Sequence, residues 1–210
     1  MKKTLLIFGS LALIVLVIFL WAGRSYNTLV SQSQAVDSQW AQVQNVYQRR
    51  ADLVPNLVAT VSGAANFEKS TLTEITQARA SVGQVKLNPS QAPADAAKLA
   101  EFQKAQDGLS SALSRLLVVA ENYPSLKATE NFRDLQAQLE GTENRISVER
   151  RNFNDATKSY DTTAQSFPGI IFARIFGFAV KPYFTAQEGA NTPPKVQFDS
   201  GVPKPATANP

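Results

Sequence analysis

The sequence predicts an all-α fold: a long-helix antiparallel four-helix bundle continuing from an N-terminal transmembrane helix, with an irregular apolar C-terminal segment. Three observations predict it. An apolar run from Leu5 to Ala22 opens the chain, interrupted only by Gly9 and Ser10. Long seams of apolar residues at helical spacing follow, and no stretch before Ser166 alternates with the period of two that a half-buried strand requires. After Gln165 a crowd of Phe and Ile replaces the periodic pattern.

The run Leu5–Ala22 has 18 residues, and at about 1.5 Å per residue it makes a helix roughly 27 Å long, enough for a hydrocarbon core. A cleaved signal peptide is the competing reading, but Leu20 stands where a cut after Ala22 needs a small residue. Trp21 reads as an interfacial aromatic with Arg24 just beyond it. Lys2 and Lys3 precede the run, and after Arg24 no basic residue comes before Arg49. The positive-inside bias therefore predicts a single-pass anchor in the inner (plasma) membrane. Its N-terminus is cytoplasmic and its domain extracytoplasmic.

From Leu29 onward, alternate steps of four and three meet Leu29, Ser33, Val36, Trp40, Val43, Tyr47, Arg50, Val54, Leu57, Val61 and Ala64. That seam makes the first bundle helix a continuation of the span, with a kink expected at Pro55. Asn66 is the expected cap of a second helix, Phe67 to about Val85, with seam Glu68, Leu72, Ile75, Arg79 and Val82. Gly, Asn-Pro-Ser and Ala-Pro in residues 83–93 mark a loop. A third helix, about Ala94 to Asn122, carries Leu99, Phe102, Gln106, Leu109, Leu113, Leu116 and Ala120, and stops at Tyr123-Pro124. The fourth, Ser125 to about Gln165, carries Phe132, Leu135, Leu139, Thr142, Ile146, Glu149, Phe153 and Tyr160. The expected divisions are thus a cytoplasmic stub 1–4, an anchor 5–22, a bundle 24–165, an apolar segment 166–198 and a disordered tail 199–210.

These residues also resemble a known family. The stretches Tyr26-Asn27-Thr28-Leu29-Val30, Val36-Asp37-Ser38-Gln39-Trp40 and the run from Arg49 through Pro55 to Val58 are similar to those of the LemA family. So are Phe67-Glu68-Lys69, Glu121-Asn122-Tyr123-Pro124, Glu130-Asn131-Phe132, the run Leu139 to Ile146, and the closing stretch from Phe167-Pro168-Gly169 to Phe198. The resemblance implies a membrane-anchored α-helical bundle, in a family of which some members are linked to assembling or shaping membrane compartments.

Composition excludes several function classes. Zero Cys removes disulfides, thiolate metal sites and a lipoprotein-type lipid anchor, and zero His removes the commonest general base and zinc ligand. Ser-His-Asp chemistry and a Glu-x-x-His di-metal bundle fail on parts, and no Gly-rich phosphate loop is present. Residues 1–22 contribute only Lys2 and Lys3 to the charge, so the remainder carries 19 basic against 17 acidic groups. That balance does not point to nucleic acid. No catalytic residue, cofactor or metal ligand is expected.

Charged residues on the seams are the exception to a bland bundle. Arg50, Arg79 and Glu149 fall where apolar groups are wanted, with Asp52 and Glu68 within a turn of such positions. A second helix folded back from Ala65 brings Arg50 level with Arg79, and two guanidiniums at one level need a shared acid, Glu149 or Glu68. One reading is a structural polar cluster that sets helix register; the other is a binding site for a small ligand or peptide. Glu140 and Glu143 are expected on a solvated face.

In the tail, Phe167, Ile170, Ile171, Phe172, Ile175, Phe176 and Phe178 crowd into twelve residues that antiparallel packing returns to the bilayer side. They form either a strap over the bundle or a contact with lipid or a neighbouring copy. The expected partners are the bilayer, further copies of the chain and envelope proteins, and the expected function is a non-enzymatic scaffold.

Overall fold

Uninterrupted apolar spacing makes the first element a single helix. In a computed structural model, which describes residues 2–63 and 67–185, α1 runs from Lys2 to Ser62 without a break. Its 61 residues span about 90 Å. From Leu6 to Leu20 its large apolar side chains are all exposed, and the helix is long and apolar enough there to cross a membrane. From Leu29 its expected seam is buried at Leu29, Val36, Trp40, Val43, Tyr47, Arg50, Val54, Leu57 and Val61. Pro55 lies inside the helix rather than ending it.

The next elements are α2, Lys69–Gln84, and α3, Ala96–Ala120. The expected cap Asn66 lies outside the described residues. Helix α2 instead follows Glu68, whose backbone is extended and whose side chain makes no cap. Asp95 caps α3 by accepting from the Ala97 amide at 2.8 Å. All seven expected seam residues of α3 are buried.

The fourth helix is not continuous from Ser125. A single turn, α4, Pro124–Lys127, precedes α5, Glu130–Gln165. Pro124 starts the turn, where its missing N–H costs nothing. Thr129 then turns its hydroxyl back to the Leu126 carbonyl at 2.7 Å and takes extended backbone angles, which separates the two helices.

Contacts give an up-down-up-down bundle of α1, α2, α3 and α5. Helix α5 is antiparallel to α1, since Arg50 meets Glu143, Trp40 meets Phe153 and Gln32 meets Ser159. Helix α3 is parallel to α1, through Trp40 on Phe102 and Arg50 on Gln106. Helix α2 runs back beside them, with Arg79 on Ala51 and Glu74 on Arg115. Because α2 is short, the span-side half of the bundle is closed differently. There the loop 85–95 and the segment 178–185 cover it, with Ala92 and Phe184 buried in the core.

The last helix, α6, is Gly169–Phe176. It stops at Gly177, whose φ of 76° is a left-handed value that a side chain resists. The remainder of the expected apolar segment, 186–198, and the expected tail 199–210 lie outside the described residues.

Candidate functional site

The apolar core comes in two parts. One holds Leu29 to Tyr47 with Leu99, Phe102, Ile146, Phe153 and Tyr160; the other holds Leu53 to Val61 with Ile75, Leu109 to Ala120, Phe132 and Leu139. Between them lies Arg50, 1% exposed. Its Nη1 donates to Glu143 Oε2 at 2.9 Å and to Ser110 Oγ. Its Nη2 donates to the side chain and the backbone carbonyl of Gln106, at 2.6 and 3.0 Å. The guanidinium also lies over the Tyr47 ring, 5.2 Å from its centroid. Burial pushes the Tyr47 hydroxyl up to about 12, against the lowering influence of Arg150 and Arg50.

This polar layer is not the cluster that the seams suggested. Arg79 is exposed, and its Nε donates to the Ala51 carbonyl. Glu149 accepts from Asn152 Nδ2 at 3.1 Å, and Glu68 is exposed and accepts from Thr71 Oγ1 at 3.4 Å. Neither acid reaches Arg50. Its partner is Glu143, half exposed and one position from the seam residue Thr142. The long Arg side chain reaches across that offset. Glu140 stays exposed and accepts from Gln136. Four of the Arg50 donors are satisfied by this chain and the fifth, Nε–H, is buried without an acceptor. The group is thus occupied internally, as a register-setting layer would be.

A second polar set holds the segment 178–185 along the span-side half. Asn154 exchanges two hydrogen bonds with the backbone of Phe184, at 2.9 and 3.0 Å. Gln103 and Arg150 both donate to the Thr185 carbonyl, at 2.8 and 2.9 Å. Tyr160 donates to the Ala179 carbonyl at 2.8 Å, and Asp161 accepts from the Lys181 amide at 3.0 Å. Lys181 Nζ reaches Asp37 at 2.9 Å, and Asp37 also accepts from the Ala92 amide, which ties loop and strap to α1. Burial raises the Tyr160 hydroxyl above its ordinary range, and Asp161 and Asp37 add to the rise. Trp40 pins the arrangement: its ring packs on Phe102, Phe153 and Phe184, and its Nε1 donates to the Asn88 carbonyl at 3.0 Å. Sequence reading missed these anchors. Their signal is a polar stripe, Arg150, Asn154, Thr157 and Asp161, running at helical spacing beside the apolar seam.

The crowded tail therefore divides. Phe178 and Phe184 belong to the core or pack on it. In α6, Gly169 and Ala173 face inward, while Ile171, Ile175 and Phe176 are exposed and Phe172 is half-buried; Phe167, just before the helix, is exposed too. Phe176 and Phe178 pack edge-on against Tyr26 of α1, at 5.0 and 5.8 Å.

The comparison with known proteins bears on this arrangement. Residues 39–198 match the LemA family, which covers the polar layer, the strap and α6. The chain belongs to the LemA family. Among relatives of this LemA-family chain, Magnetosome protein MamQ 1 of Paramagnetospirillum magneticum is 27% identical over 183 residues, covering 80% of this chain and 67% of that protein. Protein LemA of Metamycoplasma hominis is 24% identical over 149 residues, 71% of this chain and 63% of that protein. Magnetosome protein MamQ of Magnetospirillum gryphiswaldense is 29% identical over 89 residues, 42% of this chain and 33% of that protein. Within the matched residues, Trp40 and Glu143 each join elements of this bundle, and so does Asp37, two residues before the match begins.

Proposed function

We propose that this LemA-family protein is a membrane-anchored, non-enzymatic scaffold of the bacterial cell envelope, acting by association with further copies and by docking envelope proteins. The observation that carries the reading is α1. One helix supplies both the apolar span and the main seam of the bundle, with no loop between them. A bundle mounted in this way cannot swivel freely on its anchor, as a module on a flexible linker does. The polar layer and the strap support the same reading, because both add order within the bundle. The likeness to magnetosome proteins supports a role at a membrane. The charge bias of Lys2 and Lys3 favours a cytoplasmic N-terminus and an extracytoplasmic bundle.

Crosslinking in intact membranes, followed by sizing of the detergent-extracted full chain, tests the proposal. The expected result is a defined assembly larger than one chain, with recurrent neighbours crosslinked to the bundle. A chain that is monomeric after extraction and crosslinks to nothing overturns it. External protease applied to protoplasts is expected to digest the bundle, and full protection would reverse the orientation.

A further inference from the structure

We propose that α6 is a second membrane contact, lying in the plane of the leaflet from which α1 emerges, with its Ile171–Ile175 edge and the preceding Phe167 in the boundary between headgroups and acyl chains. The proposal rests on the anchoring of α1 in a bilayer. Four observations on the fold carry it.

The first is height. Gln32 meets Ser159, so antiparallel packing brings the end of α5 at Gln165 level with about residue 26 of α1. Helix α6 then begins in a hollow shared with Trp21, Arg24 and Ser25, and it ends with Phe176 on Tyr26. Both ends of α6 thus fall within a short stretch of α1, so it crosses α1 rather than running beside it. That stretch begins at Trp21, the last residue of the exposed apolar run. A few residues beyond it is the interfacial depth, roughly 5–10 Å, at which in-plane amphipathic helices rest.

The second is the helix face. Ile171 and Ile175 are spaced by four and are 47% and 67% exposed, and Phe167, in the turn that leads into the helix, is 77% exposed. Gly169 and Ala173, also four apart, are buried on the other side. Gly169 has to be glycine, because a Cβ there would collide with the backbone carbonyl of Thr163. The close approach locks α6 onto α5 with its apolar edge turned away from the bundle.

The third is continuity. Phe167, just before α6, shares a hollow with Trp21 at the end of the exposed apolar run, so the apolar residues at the start of α6 lie close to the part of α1 that lipid covers. The fourth is charge. Residues 166–185 contain no Asp or Glu, while Arg174 of α6 and Arg24 beside it are both exposed, as suits a surface facing lipid phosphates.

The chain has no cysteine, so single Cys variants report cleanly. Ile14→Cys, Ile171→Cys, Ile175→Cys and Val118→Cys in the full chain would each carry an environment-sensitive fluorophore. The proteins would be reconstituted in phosphatidylethanolamine/phosphatidylglycerol vesicles. Quenchers would be placed at shallow and deep acyl positions, with iodide in the water. We expect deep quenching at position 14 and free access of iodide at position 118, which is on the far part of α3. At positions 171 and 175 we expect quenching from the shallow lipid position and iodide access several-fold below that at 118. Iodide access at 171 and 175 equal to that at 118, with 14 still quenched by lipid, overturns the proposal and leaves the anchor standing. Protection of 171 and 175 from both iodide and lipid quenchers assigns the face to a second copy, which also overturns it. Loss of lipid quenching at 14 itself removes the anchor and the proposal together.

Discussion

Arg79 donates its Nε–H to the carbonyl of Ala51 at 3.1 Å, and Ala51 is the residue four positions before Pro55. In a regular helix that carbonyl accepts from the amide of residue 55, which proline lacks. The side chain from α2 therefore supplies the donor that α1 has lost. It also explains how α1 passes through Pro55, and why Arg79 lies at the helix surface instead of in the core.

Replacing Arg79 by Ala is expected to cost about 0.5–1.5 kcal/mol, the value of an ordinary hydrogen bond and not that of a buried charge. Pro55→Ala restores the helical donor, so Arg79→Ala in that background should cost less. A double-mutant cycle on urea unfolding in detergent measures the coupling, and equal costs in both backgrounds would break the link between the two residues.

The polar layer is expected to respond asymmetrically. Glu143→Ala leaves Arg50 buried without its counter-charge and should destabilise the bundle by about 1.5–3 kcal/mol. That is below the value for a fully buried pair because Glu143 is 51% exposed. Arg50→Met alone strands the Gln106 side chain, at a cost of about 1–3 kcal/mol. Arg50→Met with Gln106→Leu joins the two halves of the core and should recover or exceed the original stability. Melting temperatures of the full chain check this, and a double variant weaker than Arg50→Met would show that the layer stabilises the fold outright.

Most of the fold was legible because α1, α3 and α5 are long, and a seam repeated over many turns leaves little choice of face. In the short α2 the expected seam holds at Leu72, Ile75 and Val82 and fails at Glu68 and Arg79, which are exposed. Its inward residues are Thr71, Leu72, Ile75, Ala78 and Val82, so the inward face centres between the expected seam and its neighbours, and Arg79 flanks it. Sixteen residues with one large aliphatic core side chain do not fix a register by themselves. Arg50 was legible as a break in the seam, but its acid was not, since seam counting discards a residue one step off, such as Glu143. The strap was illegible for a different reason. Residues 178–185 have no period, and side chains from four distant stretches hold them.

Tyr47 makes the fold sensitive to alkali. Its ordinary value of 10 rises to about 12 through burial. Below pH 10 the hydroxyl is neutral whether the chain is folded or not, and stability does not depend on pH through it. Between pH 10 and 12 it ionises in the unfolded chain first, so stability falls as pH rises. Tyr47→Phe should leave stability at pH 7 nearly unchanged and move the midpoint of alkaline unfolding upward, as followed by circular dichroism. An unmoved midpoint would remove Tyr47 from the transition.

The strap makes the last prediction, and it has to be tested apart from α6. Deleting everything after Gln165 removes both, and a loss of stability would then say nothing about which mattered. Phe184 separates them. It is 5% exposed, packs on Trp40 and Phe153, and lies eight residues beyond the end of α6. Its backbone is held by Asn154, and that of Thr185 by Gln103 and Arg150. Phe184→Ala empties a site in the span-side core and is expected to cost about 3–5 kcal/mol, at the upper end if the strap cannot collapse into the space. Asn154→Ala strands the Phe184 amide and carbonyl and should cost about 1–3 kcal/mol. Since neither change touches the exposed edge of α6, association with membranes should persist while the melting temperature drops. A Phe184→Ala protein that melts like the parent would show that the strap merely lies on a bundle that closes without it.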